Sequence, residues 1–384
     1  MNRLTPSTFT HTTMRPRALW LLPITAAAAL PTLARAQTPE SPLEFHAALN
    51  VGAGRANKLP ILGIPSYATF DYRTAMLQFR YKVNKNDQFV VQLLNRRLGL
   101  SPLQAALPDV SMQWAFWQRR GTWGAVKVGR APMPRGLFNE IRFVGTVLPF
   151  FRPSFEIYGE GRETVDGAVF TRRFQLPHGY GFVFNAFGGS NEVRTQVVTA
   201  TGNTIRAYRG NSLKGTQGWL TMPFADTRVG VFFADYRIDT PPVWGTRKEV
   251  LYSAESRLVP HTTLRAEALR VYGTNSNQDR KSYSGEAVVN ISERFDLSSQ
   301  YSLSNNRIFY AAPIKNVDVV ATRDVAFGTT YRIGGGALVR FERHEVRGYA
   351  FDAAVPLVST VAGKVLVAPQ SYGAYWLASF AVSF

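Results

Sequence analysis

The sequence predicts an all-β protein, a transmembrane antiparallel β-barrel of about 16 strands, and three observations support this fold class. Segments of about ten residues with apolar side chains at every second position recur along the chain, and helical periodicity is nearly absent. Short and long connections alternate between these segments. The third observation is an export signal in a chain of 384 residues without cysteine, which must be stabilised by something other than disulfides, such as closure of a sheet.

The N-terminal segment has the three parts of a secretory signal peptide. Two arginines precede an apolar run over 18–34, and a pattern of small residues ends at Ala36. We therefore expect cleavage after Ala36, with residues 1–36 as signal peptide and residues 37–384 as the barrel domain. Translation from the first methionine or from Met14 gives an equally complete signal. An uncleaved anchor is disfavoured because two prolines interrupt a run that is short for a spanning helix.

The chain is strongly basic, with 44 lysines and arginines against 26 acidic residues and a net charge of +18. Four of the arginines belong to the signal segment, so the mature chain keeps 40 basic residues, 26 acidic residues and a net charge of +14. No long basic run is present, and an exported protein rarely meets nucleic acid, so we expect no nucleic-acid partner. Outer-membrane lipid and lipopolysaccharide, or small anionic solutes, are the partners that suit this charge and compartment.

Strict alternation of apolar and polar residues predicts sixteen strands. In the second of them, Leu77 and Phe79 face away from Gln78 and Arg80, and a polar turn follows. The sixteen predicted strands are 43–54, 67–82, 87–98, 110–119, 123–130, 163–174, 180–189, 211–223, 227–237, 247–258, 262–272, 282–292, 294–304, 323–333, 336–346 and 371–384.

The lengths of the connections favour a membrane barrel over a soluble sandwich. Short connections follow the even-numbered strands, near residues 84, 121, 177, 225, 260, 293 and 335. The mostly long connections after the odd-numbered strands are 55–66, 99–109, 131–162, 190–210, 238–246, 273–281, 305–322 and 347–370. Outer-membrane barrels have short periplasmic turns, long external loops and an even strand count. Closure also pairs every backbone polar group, which the bilayer requires.

The last ten residues, YWLASFAVSF, show how the two faces of one strand would meet different solvents. Trp376 and Phe380 share an aromatic face suited to lipid, whereas Ser379 and Ser383 lie on a face suited to water. The terminal Phe384 resembles the C-terminal signature of bacterial outer-membrane barrels. That resemblance implies recognition of the last strand by the barrel-assembly machinery and a location in the bacterial outer membrane.

The longest connection, 131–162, contains four prolines and five phenylalanines. The prolines exclude a regular strand throughout, and the phenylalanine rings need burial, so we expect this third long loop to fold inward and narrow the lumen. General porins have such a loop, and the stretch VGRAPMPRGLFNEIR…LPFFRPSFEIYG is similar to the region after the fifth strand of phosphate-selective-type porins. The resemblance implies a sixteen-stranded porin, a homotrimer, that passes small hydrophilic solutes.

Charged side chains in and opposite this connection are the candidate constriction and solute-binding residues. They are Arg130, Arg135, Arg142, Arg152, Glu140 and Glu156 in or beside the connection, and Lys127, Arg80, Arg265 and Arg340 on the walls. Basic rings favour anions, so we expect passive diffusion with a preference for anions such as phosphate. Alternatively, the arginines pair with carboxylates and hold the connection to the wall, and one arginine can serve both roles.

The sequence contains no motif that predicts catalysis. The histidines form no zinc motif and cysteine ligands are absent, so we expect no metal, no cofactor and no catalysed reaction. His344 and Glu342 share a lumen-facing parity, and we expect this pair to be solvated rather than catalytic. Two other classes stay open at this point: an outer-membrane β-barrel hydrolase, and a structural or adhesive barrel that does not conduct.

Overall fold

The structure is a computed structural model, and it describes residues 41–102, 104, 108–159, 161–199, 202–240, 243–273, 278–308, 317–348, 352, 358–361, 364–367 and 370–384. The predicted signal peptide, 1–36, lies outside the described residues. Residues Pro42–Phe384 form one compact unit.

Strands dominate this unit. They are β1 Leu43–Ala56, β2 Thr69–Lys82, β3 Asp87–Leu98, β4 Ser111–Gly121, β5 Gly124–Pro132, β6 Thr164–Gln175, β7 Gly181–Thr199, β8 Gly202–Thr221, β9 Arg228–Thr240, β10 Val243–Ser256, β11 Thr262–Tyr272, β12 Gln278–Asn290, β13 Phe295–Ile308, β14 Val317–Gly334, β15 Ala337–Gly348, β16 Val358–Val361, β17 Lys364–Val367 and β18 Ser371–Ser383. The described helices are one α-helical turn, α1, at Phe155–Tyr158 and two 3₁₀ turns, at Gly145–Val147 and Pro177–Gly179. Within the described ranges no helix is both long and apolar enough to span a bilayer.

Sixteen of these strands close into one barrel, as the sequence predicts. Each pairs antiparallel with its neighbours in the order β1-β18-β15-β14 and onward through β2, while β16 and β17 form a separate two-stranded sheet. The seam between first and last strands includes the chain's final residue, because the amide of Ala47 donates to the carbonyl of Phe384 at 2.8 Å and the reverse bond measures 3.0 Å. Closure leaves the barrel sheet without a free edge.

The two faces of the strands differ in chemistry, and we call the face with the buried polar side chains the inner face. In β18, Tyr372 and Trp376 are exposed on the outer face, whereas Tyr375 and Leu377 are buried on the inner face. Large exposed aromatic and aliphatic side chains recur on the outer face of other strands, including Phe89, Tyr252 and Phe327. The predicted division of the last strand into two faces is confirmed.

Two of the predicted long connections are wrong. Paired strand continues through residues 190–210, because β7 and β8 remain in register up to Thr199 and Gly202. Similarly, β9 and β10 pair up to Thr240 and Val243, across most of the predicted connection 238–246. Residues here alternate less clearly, but backbone pairing with an existing neighbour extends a strand without needing an amphipathic pattern.

Candidate functional site

The connection between β5 and β6, residues 133–163, is the predicted long third connection displaced by one or two residues. Four of its five phenylalanines are buried: Phe138, Phe143, Phe150 and Phe151. Phe138 belongs to a large apolar cluster with inner-face residues such as Phe232 and Leu251. Burial of each such ring contributes about 1.5–3 kcal/mol, so the connection packs against the wall.

Two wall carboxylates hold one end of the connection. Glu249 on β10 accepts from Nε of Arg135 at 3.2 Å and lies 3.0 Å from Nη1 of Arg162. Glu267 on β11 accepts from the amide of Leu137 at 3.0 Å and from the hydroxyl of Tyr158 at 2.8 Å. All of these groups except Arg162 are buried, so the bonds form where water competes little.

Other inner-face residues hold the middle of the connection. Arg340 on β15 donates to the carbonyls of Gly145 at 2.8 Å and Leu148 at 2.6 Å. The amide of Phe151 donates to Glu342 at 2.6 Å. Asn50 on β1 donates to the carbonyl of Phe151 at 3.2 Å. Because β1 and β10 are seven steps apart around a ring of sixteen, the connection contacts inner-face side chains on nearly opposite strands.

His344 on β15 contacts the part of the connection that Glu342 binds. Its Nδ1 is 3.0 Å from an oxygen of Asp324, and its Nε2 is 3.3 Å from an oxygen of Glu342. The imidazole stacks on Tyr375 with 4.4 Å between ring centroids, and Phe150 contacts it edge-on. Only 5% of His344 is exposed, so the expectation that this histidine and Glu342 are solvated is wrong. Burial under Phe150, which the sequence does not show, removes the water.

The predicted residues of the connection differ in how much of each side chain is exposed. Arg135 and Arg142 are buried, and Arg142 donates to the carbonyl of Gly159 at 2.7 Å. Glu156 is buried, while Glu140 is exposed. Arg152 is partly exposed, and its guanidinium lies 5.0 Å from the Phe155 ring centroid.

The four predicted wall residues all lie on the inner face. Arg80 pairs with Glu44 at 3.1 Å, and Arg265 bridges two carboxylates at 2.6 and 2.7 Å. Arg340 is buried against the connection, as described above. Lys127 lies 5.7 Å from the Phe116 ring centroid. Of these four residues, Arg340 contacts the connection through hydrogen bonds and Arg265 through the Phe138 ring at 5.4 Å, whereas Arg80 pairs with another wall residue.

Arg130 does not belong with the other predicted residues. It shares a face of β5 with Val128, which is 46% exposed, and it forms a bidentate pair with Asp166 at 2.6 and 2.9 Å. Lys127 pairs across the sheet with the buried Val169 on the inner face. Lys127 and Arg130 are three positions apart in the strand, so a side-chain period of two places them on opposite faces. Arg130 lies on the outer face.

Glu156 is the predicted site residue with an unusual acidity. Burial, reinforced by the nearby Asp324 carboxylate, raises the pKa of Glu156 to about 7. The hydroxyl of Ser302 donates to this carboxyl group at 3.3 Å, and Arg280 donates to its backbone carbonyl. The site therefore contains a carboxyl group that is only partly ionised near neutral pH.

Sequence reasoning misses two carboxylates that hold the connection, Glu249 and Glu267, and it assigns the third, Glu342, a solvated role instead. Each occupies an inner-face position, as solvated lumen residues also do, so parity alone does not single them out. Among the described residues, no group of three or more histidines, aspartates or glutamates could hold a metal ion.

A closed antiparallel barrel of sixteen strands, with an aromatic outer face and a long connection attached to its polar inner face, is the fold of the outer-membrane porins. Comparison with solved structures gives the same fold. The chain is similar to an anion-selective porin from Comamonas acidovorans, with a TM-score of 0.57, 11% identity and coverage of 90% of this chain and 100% of that one.

Two further structures with this fold come from other bacteria. The OmpF of Salmonella typhi, in complex with daunomycin, gives a TM-score of 0.57 at 12% identity and covers 89% of this chain and 97% of its own. The trimer form of OmpT, an outer membrane protein of Vibrio cholerae, gives 0.51 at 10% identity, covering 89% and 99%. No protein-family model and no curated protein matches the sequence.

Proposed function

We propose that the protein is a bacterial outer-membrane porin, a water-filled channel for passive diffusion of small hydrophilic solutes. One observation carries this proposal: residues 133–163 contact inner-face side chains on nearly opposite strands of a closed ring. A segment so attached narrows the lumen, and we expect an opening beside it that passes solutes below a size limit. No step of bond making or breaking is required.

A preference for anions is the finer part of the proposal. Ion pairing offsets much of the basic charge of the inner face, as at Arg80 and Arg265. The remaining basic groups include Lys127, which contacts a phenylalanine ring rather than a carboxylate. Pairing reduces the field that a solute meets, so we expect moderate rather than strong selectivity for anions such as phosphate.

Single-channel recording in planar bilayers tests both parts. The purified protein is expected to give stepwise conductance, and reversal potentials in a salt gradient are expected to show anion preference. Cation preference overturns the selectivity. Absence of any conductance step from correctly folded protein overturns the channel itself.

A closed, non-conducting barrel is the second candidate, and the size of the internal apolar cluster favours it. This cluster joins 22 buried residues of the connection and of the walls, among them Met133, Phe187 and Trp219. Should these side chains fill the lumen, liposomes containing the protein would exclude sugars of every size. A hydrolase is the third class, and assays on lipid and peptide substrates distinguish it.

The same proposal includes the cellular context of the barrel. We expect export through the signal peptide 1–36, insertion through the barrel-assembly machinery acting on β18, and contact with outer-membrane lipid and lipopolysaccharide. We also expect a homotrimer, since one structure with this fold is described as a trimer. Light scattering of the detergent-solubilised protein tests the trimer, and a monomeric mass contradicts it.

A further inference from the structure

Three arginines that the sequence analysis does not select come together on the inner face. They are Arg162 at the end of the connection 133–163, Arg247 on β10 and Arg280 on β12. All three are partly exposed, unlike the buried Arg135 beside them. A solute that enters the lumen can therefore contact part of each of these side chains.

Strand register explains the proximity. Glu249 pairs with Val271, which in turn pairs with Arg280, so Glu249 and Arg280 occupy one inner-face row about 10 Å apart. Arg247 lies two residues before Glu249 on the same face and pairs with Tyr236. Arg247 and Arg280 are each close enough to Arg162 for electrostatic repulsion between like charges.

The carboxylates near these arginines neutralise only part of their positive charge. Glu249 faces both Arg135 and Arg162, at 3.2 and 3.0 Å. Glu163 also attracts Arg162 electrostatically, but it is shared with Arg142, which lies 3.6 Å away. Arg247 donates to the carbonyl of Thr246 at 3.3 Å, and no carboxylate lies within ion-pair distance of it among the described residues. Arg280 donates to the hydroxyl of Ser282 at 3.1 Å and to the backbone carbonyl of Glu156. The carboxyl groups of Glu156 and Glu249 attract it electrostatically.

Unused hydrogen-bonding capacity accompanies the unbalanced charge. Nε of Arg162 is buried without a partner, and so are both polar atoms of the Asn191 side chain, which is 2% exposed. Asn191 and the Tyr236 ring both lie beside Gly210, and the Tyr236 hydroxyl donates to Glu249 at 3.2 Å, so this amide is near the carboxylate that Arg162 contacts. In sequence, Glu160 is the only acidic residue after residue 41 outside the described part, so at most one further carboxylate is available.

We propose that Arg162, Arg247 and Arg280 form a binding site for doubly charged oxyanions, such as phosphate, phosphomonoesters or small dicarboxylates. The inference deepens the proposed porin function by naming a solute class and the residues that recognise it. Guanidinium groups suit such solutes because each presents paired donors in a plane that matches two oxygens. Chloride and nitrate have one charge each and gain less from three cations.

Equilibrium binding tests the site without requiring conduction. Calorimetry of the full-length protein in detergent, with inorganic phosphate at constant ionic strength near neutral pH, is expected to show saturable binding. The double variant Arg247→Ala/Arg280→Ala is expected to bind at least tenfold more weakly, and Arg247→Lys/Arg280→Lys to recover part of the loss. The Lys variant separates loss of charge from loss of fold.

A second double variant provides the matched control. Arg270→Ala/Arg307→Ala removes the same charge from outer-face arginines, which pair bidentately with Asp279 and Asp318. We expect it to bind phosphate like the wild type. Equal weakening in both double variants, or wild-type protein that shows no saturable binding, overturns the site.

Bilayer recording with the same preparation separates this inference from the proposed function. Phosphate added to a chloride solution is expected to lower the chloride current of the wild type, and to do so far less in Arg247→Ala/Arg280→Ala. Conductance without phosphate binding overturns the proposed site but not the proposed porin function. Phosphate binding by a protein that never conducts overturns the porin and leaves the site.

Discussion

Glu249 shows how much one buried carboxylate can hold in place. It faces the guanidinium groups of Arg135 and Arg162, and about 1% of the residue is exposed. We expect Glu249→Gln to lower the free energy of unfolding by about 3–5 kcal/mol, because it leaves buried guanidinium charge without a counter-charge. Chemical unfolding in detergent micelles measures the change. Glu345→Gln, in an exposed pair with Arg343, is the control and should cost at most about 1 kcal/mol.

The Glu156 carboxyl group makes the attachment of the connection depend on pH. Its pKa rises from an ordinary 4.5 to about 7 on folding, so the buried neutral form is favoured. The resulting stability is complete below about pH 4.5 and is lost as the pH rises through 7. The loss amounts to at most about 3–4 kcal/mol, since one pKa unit corresponds to about 1.4 kcal/mol.

Thermal unfolding across this pH range measures the effect. The wild type is expected to lose stability relative to Glu156→Gln between pH 4.5 and pH 7, because glutamine stays neutral throughout. A constant difference between the two proteins across the range would contradict the raised pKa.

At the scale of elements, the inner face of β15 supports the middle of the connection. Arg340 binds two of its carbonyls, Glu342 binds the amide of Phe151, and His344 contacts the Phe150 ring. Alternate residues of one strand therefore contact neighbouring parts of one loop, which follows from the two-residue period of side chains.

Removal of Arg340 is expected to free this part of the connection. In Arg340→Ala, amide hydrogen exchange over 145–151 should accelerate by roughly tenfold or more, because hydrogen bonds to a charged donor contribute about 1.5–3 kcal/mol. Mass spectrometry of exchange measures it, and single-channel current noise should rise with it. Arg343→Ala, on the outer face of the same strand, should leave exchange in 145–151 unchanged.

At the scale of the whole molecule, β18 closes the ring by pairing with both β1 and β15. Deletion of 371–384 is expected to prevent folding, since it exposes two sheet edges that lipid cannot satisfy. Deletion of 358–367 provides a control, because β16 and β17 form a separate two-stranded sheet. Heat-dependent gel migration distinguishes folded from unfolded barrels. A folded barrel after deletion of 371–384 would contradict this account of closure, and so would an unfolded barrel after deletion of 358–367.

Much of the barrel could be predicted from the sequence, and less of the site. All sixteen predicted strands overlap barrel strands, because alternation is a property of each segment by itself. Parity also places Arg80, Arg265 and Arg340 on the inner face. Arg130 is selected because it is near the connection in sequence, and it lies on the outer face. Strand ends beyond 190 and 238 were not predictable from turn residues, since pairing with a neighbour decides where a strand stops.

The sequence alone determined the strand number, the two-faced strands and the position of the long aromatic connection, because these depend on local patterns. Only the tertiary structure decided which charges meet. The amide of Phe151 reaches Glu342 across 191 residues of chain, and Arg135 reaches Glu249 across 114. Such partners come together through closure of the ring and packing of the connection against its wall, and neither leaves a periodic signal in the sequence.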